Sequence, residues 1–446
     1  LLRVGGLTSL GLGLPQFLAT RATAAQGTFG QAKACIVLFL VGGPPQHETW
    51  DPKPEAPADV RGAFGTISTS LPGLTVGELM PETAKLAHRV SVLRAVSTSN
   101  NIHSTSGYWM LTGHEHPNNS VEVAGQFSPN DWPCFGAMVK QLRPARSGLP
   151  ASVTLPEPIM NNPGILWPGQ SGGFLGRQWD PWLLACDPSA KDFTLPLLSL
   201  PVDAPLTRLD ERRSLLTQYN ERLDALERSE LPERFAGSAA QAWDLLRGGA
   251  ARQAFRLESE KPELRDRYGR HKFGQSCLLA RRLVEAGVSL VQVNWPREPG
   301  DLQVGNPCWD THQKNAERLK TALMPPMDQG YSALLEDLAQ RGLLEETLVV
   351  WMAEFGRTPK INGAGGRDHW GKVFSVALAG GGIRAGCVYG QSDRIAGEPR
   401  DGLVLPQDLS ATIFHCLGIE PHAALHDQQG RILAVSEGRP IEGVLA

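Results

Sequence analysis

The sequence predicts an α/β fold, with a doubly wound, mostly parallel central sheet and helices on both faces. Three observations lead there. Several runs of strand length are apolar throughout, among them ACIVLFLVGG at 34–43, LVVWM within 347–353 and FSVALAGGG at 374–382. A strand reads this way when both of its faces are covered, as in parallel sheets. Between such runs lie stretches of helical period, the clearest being FGQSCLLARRLVEAG at 273–287. That alternation is what crossover-connected strands produce. Finally, 446 residues suffice for one large α/β domain or two ordinary ones. No internal repeat divides them, and a single domain over 31–446 is expected.

Residues 1–30 stand apart. LLRVGGLTSLGLGLPQFLATRATAAQG is apolar, rich in Gly and Leu, poor in acid, and closes on small residues. These are the features of the hydrophobic and cleavage regions of an export signal. The weak, glycine-containing hydrophobicity suits a twin-arginine signal. The chain opens without Met, so the basic start of that signal is expected to be missing. The expected location is the periplasm or the extracellular space.

The strand at 34–43 leads into a loop, HETWDPKPEAP. VGELMPETAKLAHR at 76–89 reads as a helix and VSVLRAV at 90–96 as a second strand. HSTSGYWMLTG at 103–113 reads as a polar loop turning into a short helix. A helix is expected over 128–142, with Ser128 as N-cap and Pro129 in the first position. An insert is expected at about 145–260. It begins with ordered Pro- and Gly-rich loops (LWPGQSGGFLGRQWDPWLL) and continues in helices over 209–229 and 233–257. The helix at 273–287 ends on Gly287 and feeds a strand at 288–295. A long helix over 313–341 is interrupted at Pro325 and Pro326. The strands at 347–353 and 374–382 follow, and a last helix over 408–418 takes Asp408 as N-cap. GGGIRAG at 380–386 resembles a dinucleotide loop, but a turn and strand follow it instead of a helix.

Composition excludes some classes of function. The formal net charge is −3, so bulk electrostatics asks for neither nucleic acid nor an anionic membrane. Beyond the N-terminus no stretch is long and apolar enough to span a bilayer. None of the seven cysteines forms C-x-x-C, which argues against a zinc ribbon or a thioredoxin site. Cys277 and Cys416 fall on apolar helical faces and read as small buried hydrophobes.

In open parallel sheets, ligands bind outside the carboxyl ends of the strands. The first strand delivers His47, Glu48 and Asp51 there. The second delivers His103, Ser104, Thr105 and Ser106. The strand at 288–295 leads to Asp310 and His312. The strand at 347–353 delivers Glu354 and Arg357, and the loop after it holds Asp368 and His369. Each residue alone has a bland explanation: an N-cap, a satisfied loop histidine, an ion pair. Together they are harder to dismiss, because converging buried carboxylates are expensive unless paired or metal-bound. A divalent cation offsets that expense for all of them, and mixed His and carboxylate donors suit zinc or manganese. Arg357 and Arg177 are candidates to grip an oxyanion bidentately.

The motifs GGPPQHETWDPKP, NIHSTSGYWMLTGH, YGRHKFGQSCLLARRLVEAGV, WDTH, ETLVVWMAEFGRTPKIN, GRDHW and DLSATIFHCLGI resemble the DUF1501 family of exported bacterial proteins. The family is generally placed in the alkaline-phosphatase-like superfamily, with sulfatases and phosphonate hydrolases. The resemblance implies that Glu48, Asp310, His312, Glu354 and His369 are metal ligands, with Asp368 as a partner of His369. Phe355 replaces a ligand histidine of the superfamily plan. Superfamily members carry a hydroxyl or modified Cys at the start of the helix that ends in Thr-Gly. Here that spacing lands on His103, and a register shift of one makes Ser104 the nucleophile. A metal-activated water is the alternative.

The implied function is an exported metal-dependent hydrolase of phosphate or sulfate esters, small or polysaccharide, with His103, Ser104 and Arg357 as catalytic candidates. Zinc comes first as the metal, with manganese, calcium or magnesium behind it. The competing expectation is a non-catalytic binding or scaffold protein on the same fold. Trp167, Trp179 and Trp182 would then stack on sugar rings or simply pack.

Overall fold

The computed structural model describes residues 27–123, 128–143, 148–162, 164–195, 214, 253–297 and 307–446. Nearly all of the expected export signal, and most of the helices expected over 209–229 and 233–257, lie outside the described residues.

The main sheet contains β1 (Ala34–Phe39), β2 (Val90–Val96), β3 (Ser152–Leu155), β4 (Trp182–Leu183), β5 (Leu290–Asn294), β6 (Thr347–Met352), β7 (Phe374–Ala379) and β8 (Val388–Tyr389). Their order across the sheet is β8-β2-β7-β6-β1-β5-β3-β4. Seven strands run one way, and β7 runs against both of its neighbours, β6 and β2. The sheet is therefore mostly parallel, as the apolar runs predict. Every residue of β1, β5, β6 and β7 is buried. Successive side chains point to opposite faces, so both faces are covered.

The covering helices are α1 (His103–Thr112), α2 (Phe135–Leu142), α3 (Lys272–Glu285), α4 (Met324–Gln340) and α5 (Pro406–Cys416). α3 packs on α4, and the Trp351 indole N–H of β6 reaches the Met327 sulfur of α4 at 3.4 Å. α2 packs on β3 and β5, and Phe135 meets Phe414 of α5 edge-to-face, with centroids 5.6 Å apart. α5 in turn packs against α1.

Several boundaries differ from the sequence expectation, each because of a proline or a cap. α2 begins at Phe135, not near Ser128, because Pro133 disfavours helical backbone at Trp132. Residues 128–131 form a turn instead, with the Ser128 N–H on the Asp131 carboxylate. The stretch 76–89 is a strand end (Thr75–Gly77), one turn of helix from Pro81 and a 3-10 turn. Asp408 is not the N-cap of α5. It sits at the third helical position and accepts the N–H of Leu405, the residue that precedes the helix. Before α4 the chain makes a π-helical turn, Leu319–Leu323. The turn absorbs the register change that Pro325 and Pro326 impose.

The opposed direction of β7 positions the site. The chain leaves β6 at the carboxyl rim and wanders through residues 353–373. It then enters β7 from that same rim, with Phe374 paired to Val96 at the end of β2. The ends of β1, β2, β5 and β6 and the start of β7 therefore share one edge of the sheet.

Candidate metal centre

His103 is the first residue of α1. The Asn100 side chain accepts the Ile102 N–H (2.8 Å), and the Glu122 carboxylate accepts those of His103 and Ser104 (2.9 and 3.1 Å). These donors would otherwise be orphaned at the helix start. Asp310 and His312 lie on a loop that descends onto the end of β1, where the Trp309 N–H donates to the Val41 carbonyl (3.0 Å). Only glycine fits beneath it. A Cβ on Gly42 would stand 2.4 Å from the Asp310 nitrogen, and its φ is +107°. Glu354 follows β6 by two residues. His369 opens a two-residue ribbon paired with Gly356–Arg357.

These side chains meet around one carboxylate. Asp310 Oδ1 is 3.0 Å from both His369 Nε2 and His312 Nε2, which are themselves 2.8 Å apart. Asp310 Oδ2 is 3.2 Å from His103 Nε2. The opposite ring nitrogens are all committed. His103 Nδ1 meets Glu354 Oε1 (2.7 Å), His312 Nδ1 meets Asp368 Oδ1 (2.8 Å) and His369 Nδ1 meets the Asn101 carbonyl (2.8 Å). Carboxylates and carbonyls can only accept, so each Nδ1 carries the hydrogen. In the neutral rings all three Nε2 lone pairs then face the Asp310 carboxylate. Electron-rich atoms packed this closely require a cation or extra protons between them.

The charges bear this out. Burial pushes the Asp310 carboxyl up, but Arg357 and the surrounding histidines outweigh it and hold the group well below the usual carboxylate range. Burial likewise opposes charge on His103, yet Asp310 and Glu354 lift it to about 9. Burial, with His103 and Arg357 nearby, pushes His369 down to about 4. The donor set fits a metal. His103, Asp310 and His369 offer ligand atoms within 4.8 Å of one another. Four donors around zinc at its usual bond lengths stand about 3.4 Å apart, close to the separations here. Glu354 Oε2 is buried without a hydrogen-bond partner, as a ligand atom would be.

A family model described as a protein of unknown function (DUF1501) matches residues 32–445. The chain belongs to the DUF1501 family. No curated protein matches it significantly. Among solved structures, it is similar to a sulfatase from Pseudoalteromonas sp. at 14% identity and TM-score 0.39, covering 90% of this chain and 70% of that one. It is similar also to the lipoteichoic acid synthase from Listeria monocytogenes (10%, TM-score 0.40, covering 96% and 82%). The phosphonate monoester hydrolase from Silicibacter pomeroyi gives 14% and TM-score 0.37, covering 92% and 76%.

Not every residue predicted for the site of this DUF1501 protein reaches the cluster. Glu48 does not. Its Oε1 takes two bonds from the Arg367 guanidinium, at 2.7 and 3.0 Å, in a buried pair. The Ser104 hydroxyl accepts the Val123 N–H at 2.8 Å. Arg357 is at the site but is not open to a ligand. It is fully buried, and its guanidinium bonds the Gly42, Gly43 and Arg367 carbonyls and Asp310 Oδ1 (2.7 Å). Arg177 lies on an exposed turn beside Asp180. Glu354 Oε1 meets His103 Nδ1 and the Gly42 N–H (2.8 Å), so this oxygen orients the His103 ring. Phe355 fills space between two of the rings, 4.6 Å from His369 and 4.8 Å from His103. Trp167 is buried over His103 at 5.6 Å, while Trp179 and Trp182 pack on the core. The Asn101 carbonyl, Glu122 and Arg367 were not legible as site residues. Asn101, at the head of NIHSTSGYWMLTGH, and Arg367, inside GRDHW, lay in motifs that could have drawn attention to them.

Proposed function

We propose that this protein is an exported, metal-dependent hydrolase of an anionic ester, a phosphate or a sulfate. The observation that carries the reading is the convergence of three Nε2 lone pairs on the Asp310 carboxylate, each ring fixed from behind by an acceptor. His103, Asp310, His312 and His369 would hold the cation, with Glu354, Asp368 and the Asn101 carbonyl setting the ring orientations. A divalent cation there would supply Lewis acidity and a counter-charge for the leaving oxygen. Arg357 keeps one oxygen of Asp310 in place and prevents the carboxylate from rotating away. Phe355 and Trp167 wall the buried side and exclude water from it. With the Ser104 hydroxyl engaged by Val123, the entering oxygen is assigned to a water. It bonds phosphorus or sulfur as the bond to the alcohol oxygen breaks, and the alcohol leaves with a proton.

The second reading, a binding or scaffold protein, draws on two observations: the Ser104 hydroxyl is turned to the Val123 N–H, and Phe355 packs where the superfamily plan has a ligand. One experiment separates them. Metal content is measured on the purified protein by mass spectrometry. Aryl phosphate, phosphodiester and sulfate esters are then assayed with and without chelator. The hydrolase reading expects bound metal and turnover that chelation and His369→Ala both abolish. Metal without turnover on any ester favours the scaffold, and a protein that binds no metal refutes the centre itself.

A further inference from the structure

Beside the metal centre lies a pocket of about 580 Å³, lined by residues from 358–370 and 393–398. Its volume falls in the range of small-molecule sites. Asp368 joins the two. Its Oδ1 holds the His312 ring, and the carboxylate is half exposed to the pocket. His369 and Trp370 are successive residues of the ribbon. Alternation sends one side chain to the centre and the other to the pocket.

The lining has an unequal supply of donors and acceptors. Apart from the Lys360 ammonium, its side-chain donors are committed within the protein. The Trp370 indole N–H is held by the Gly397 carbonyl at 2.7 Å. The Asn362 amide N–H groups go to the His312 carbonyl (3.0 Å) and Asp368 (3.2 Å). Lys360 leans outward on Asp59 at 3.4 Å and stays largely exposed, so it is the one cation of the lining. The Thr358 hydroxyl donates to the Lys360 carbonyl (3.0 Å), and the remaining polar side chains are carboxylates: Asp368, Asp393 and Glu398, the last paired with Lys372 at 2.6 Å. Asp393 Oδ1 accepts the Ile395 and Gly397 N–H groups, which leaves Oδ2 for a ligand. Trp370, Ile361, Ile395 and Pro359 supply apolar surface.

We propose that this pocket binds the alcohol side of the substrate as a hydroxyl-rich, amine-bearing group, an amino sugar in class, and rejects polyanions. Such a group brings the donors that the lining lacks and an apolar ring face for Trp370, and its ammonium answers the carboxylates. A sulfated or carboxylated sugar would set like charges against Asp368 and Asp393. The proposal deepens the hydrolase reading and rests on it only for the part of the substrate concerned, since binding in the pocket does not require turnover.

The test is saturation-transfer NMR on the full chain with methyl glucosaminide, methyl glucoside and methyl glucuronide, with and without chelator. The glucosaminide is expected to bind roughly threefold or more tighter than the glucoside, and the glucuronide not to saturate. Asp393→Asn, which keeps the Oδ1 acceptor of the turn, is expected to erase the preference for the amine. Trp370→Ala is expected to abolish binding of all three. Equal or tighter binding of the glucuronide overturns the proposal, as does absence of binding by any sugar. So does a preference that survives Asp393→Asn. Sugar binding that persists in a protein found to hold no metal sinks the hydrolase reading and leaves the pocket standing.

Discussion

The Arg357 guanidinium lies 2.7 Å from Asp310 Oδ1, and His369 Nε2 approaches the same oxygen at 3.0 Å. The arginine is fully buried and the histidine partly so. Arg357 thus stands behind the carboxylate as structure, while the histidines face it as ligands would.

Replacing Arg357 by Met is therefore expected to act on folding before chemistry. It strands a buried carboxylate and three carbonyls. Loss of one partner of a buried pair costs about 3–5 kcal/mol. Urea unfolding at neutral pH measures it. A variant as stable as the wild type would show that Arg357 is not the clamp described.

Asp368→Ala removes the acceptor behind His312 without disturbing the core, because Asp368 is exposed. Loss of such a partner usually lowers metal affinity about 10–100-fold. Chelator competition should show that drop with the melting temperature nearly unchanged, and Asp368→Asn should recover part of it. An unaltered affinity would remove His312 from the ligand set.

Glu48→Gln separates the sequence expectation from the structure. If Glu48 were a ligand, the variant would lose metal. Its contacts with Arg367 predict instead a stability loss, of about 3–5 kcal/mol for a broken buried ion pair. Metal content should stay as in the wild type, and mass spectrometry with parallel unfolding curves reads both.

His47 makes stability depend on pH. Burial, with Arg367 and Lys53 nearby, pushes it down to about 3 from an ordinary 6.5. The folded protein thus keeps this ring neutral where the unfolded chain takes up a proton. Its contribution is complete above pH 6.5 and is lost as pH falls from there towards 3. At pH 5 the loss is about 2 kcal/mol. His47→Gln should flatten that part of the profile, and equal slopes for the two proteins between pH 7 and 5 would contradict the assignment.

The strands were legible because burial on both faces leaves an unmistakable run, as in LVVWM. The reversed direction of β7 was not, since pairing direction is set by how residues 353–373 return to the rim and leaves no mark on FSVALA. His103, Asp310, His312 and His369 were found because acids and imidazoles at strand ends are conspicuous. The roles of Glu48 and Arg357 were misread for one common reason. A charge at a strand end signals that something must answer it, but it does not say whether the answer is a ligand, a metal or another side chain. Here Arg367 answers the first and Asp310 the second. Helix starts were misjudged where a proline two or more residues further on, such as Pro133, outweighed a good capping residue.

The guanidinium behind Asp310 also sets the electrical character of the rim. Asp310 and Glu354 are the carboxylates inside the cluster, and Arg357 cancels one of them. A divalent ion held there would leave the core of the site net positive, enclosed by the low-dielectric rings of Phe355 and Trp167. A few residues away, the neighbouring pocket is lined with negative charge. With such an ion bound, the molecule would present two opposite poles side by side. A zwitterion with its ester at one end and its amine at the other is the shape of charge they would select.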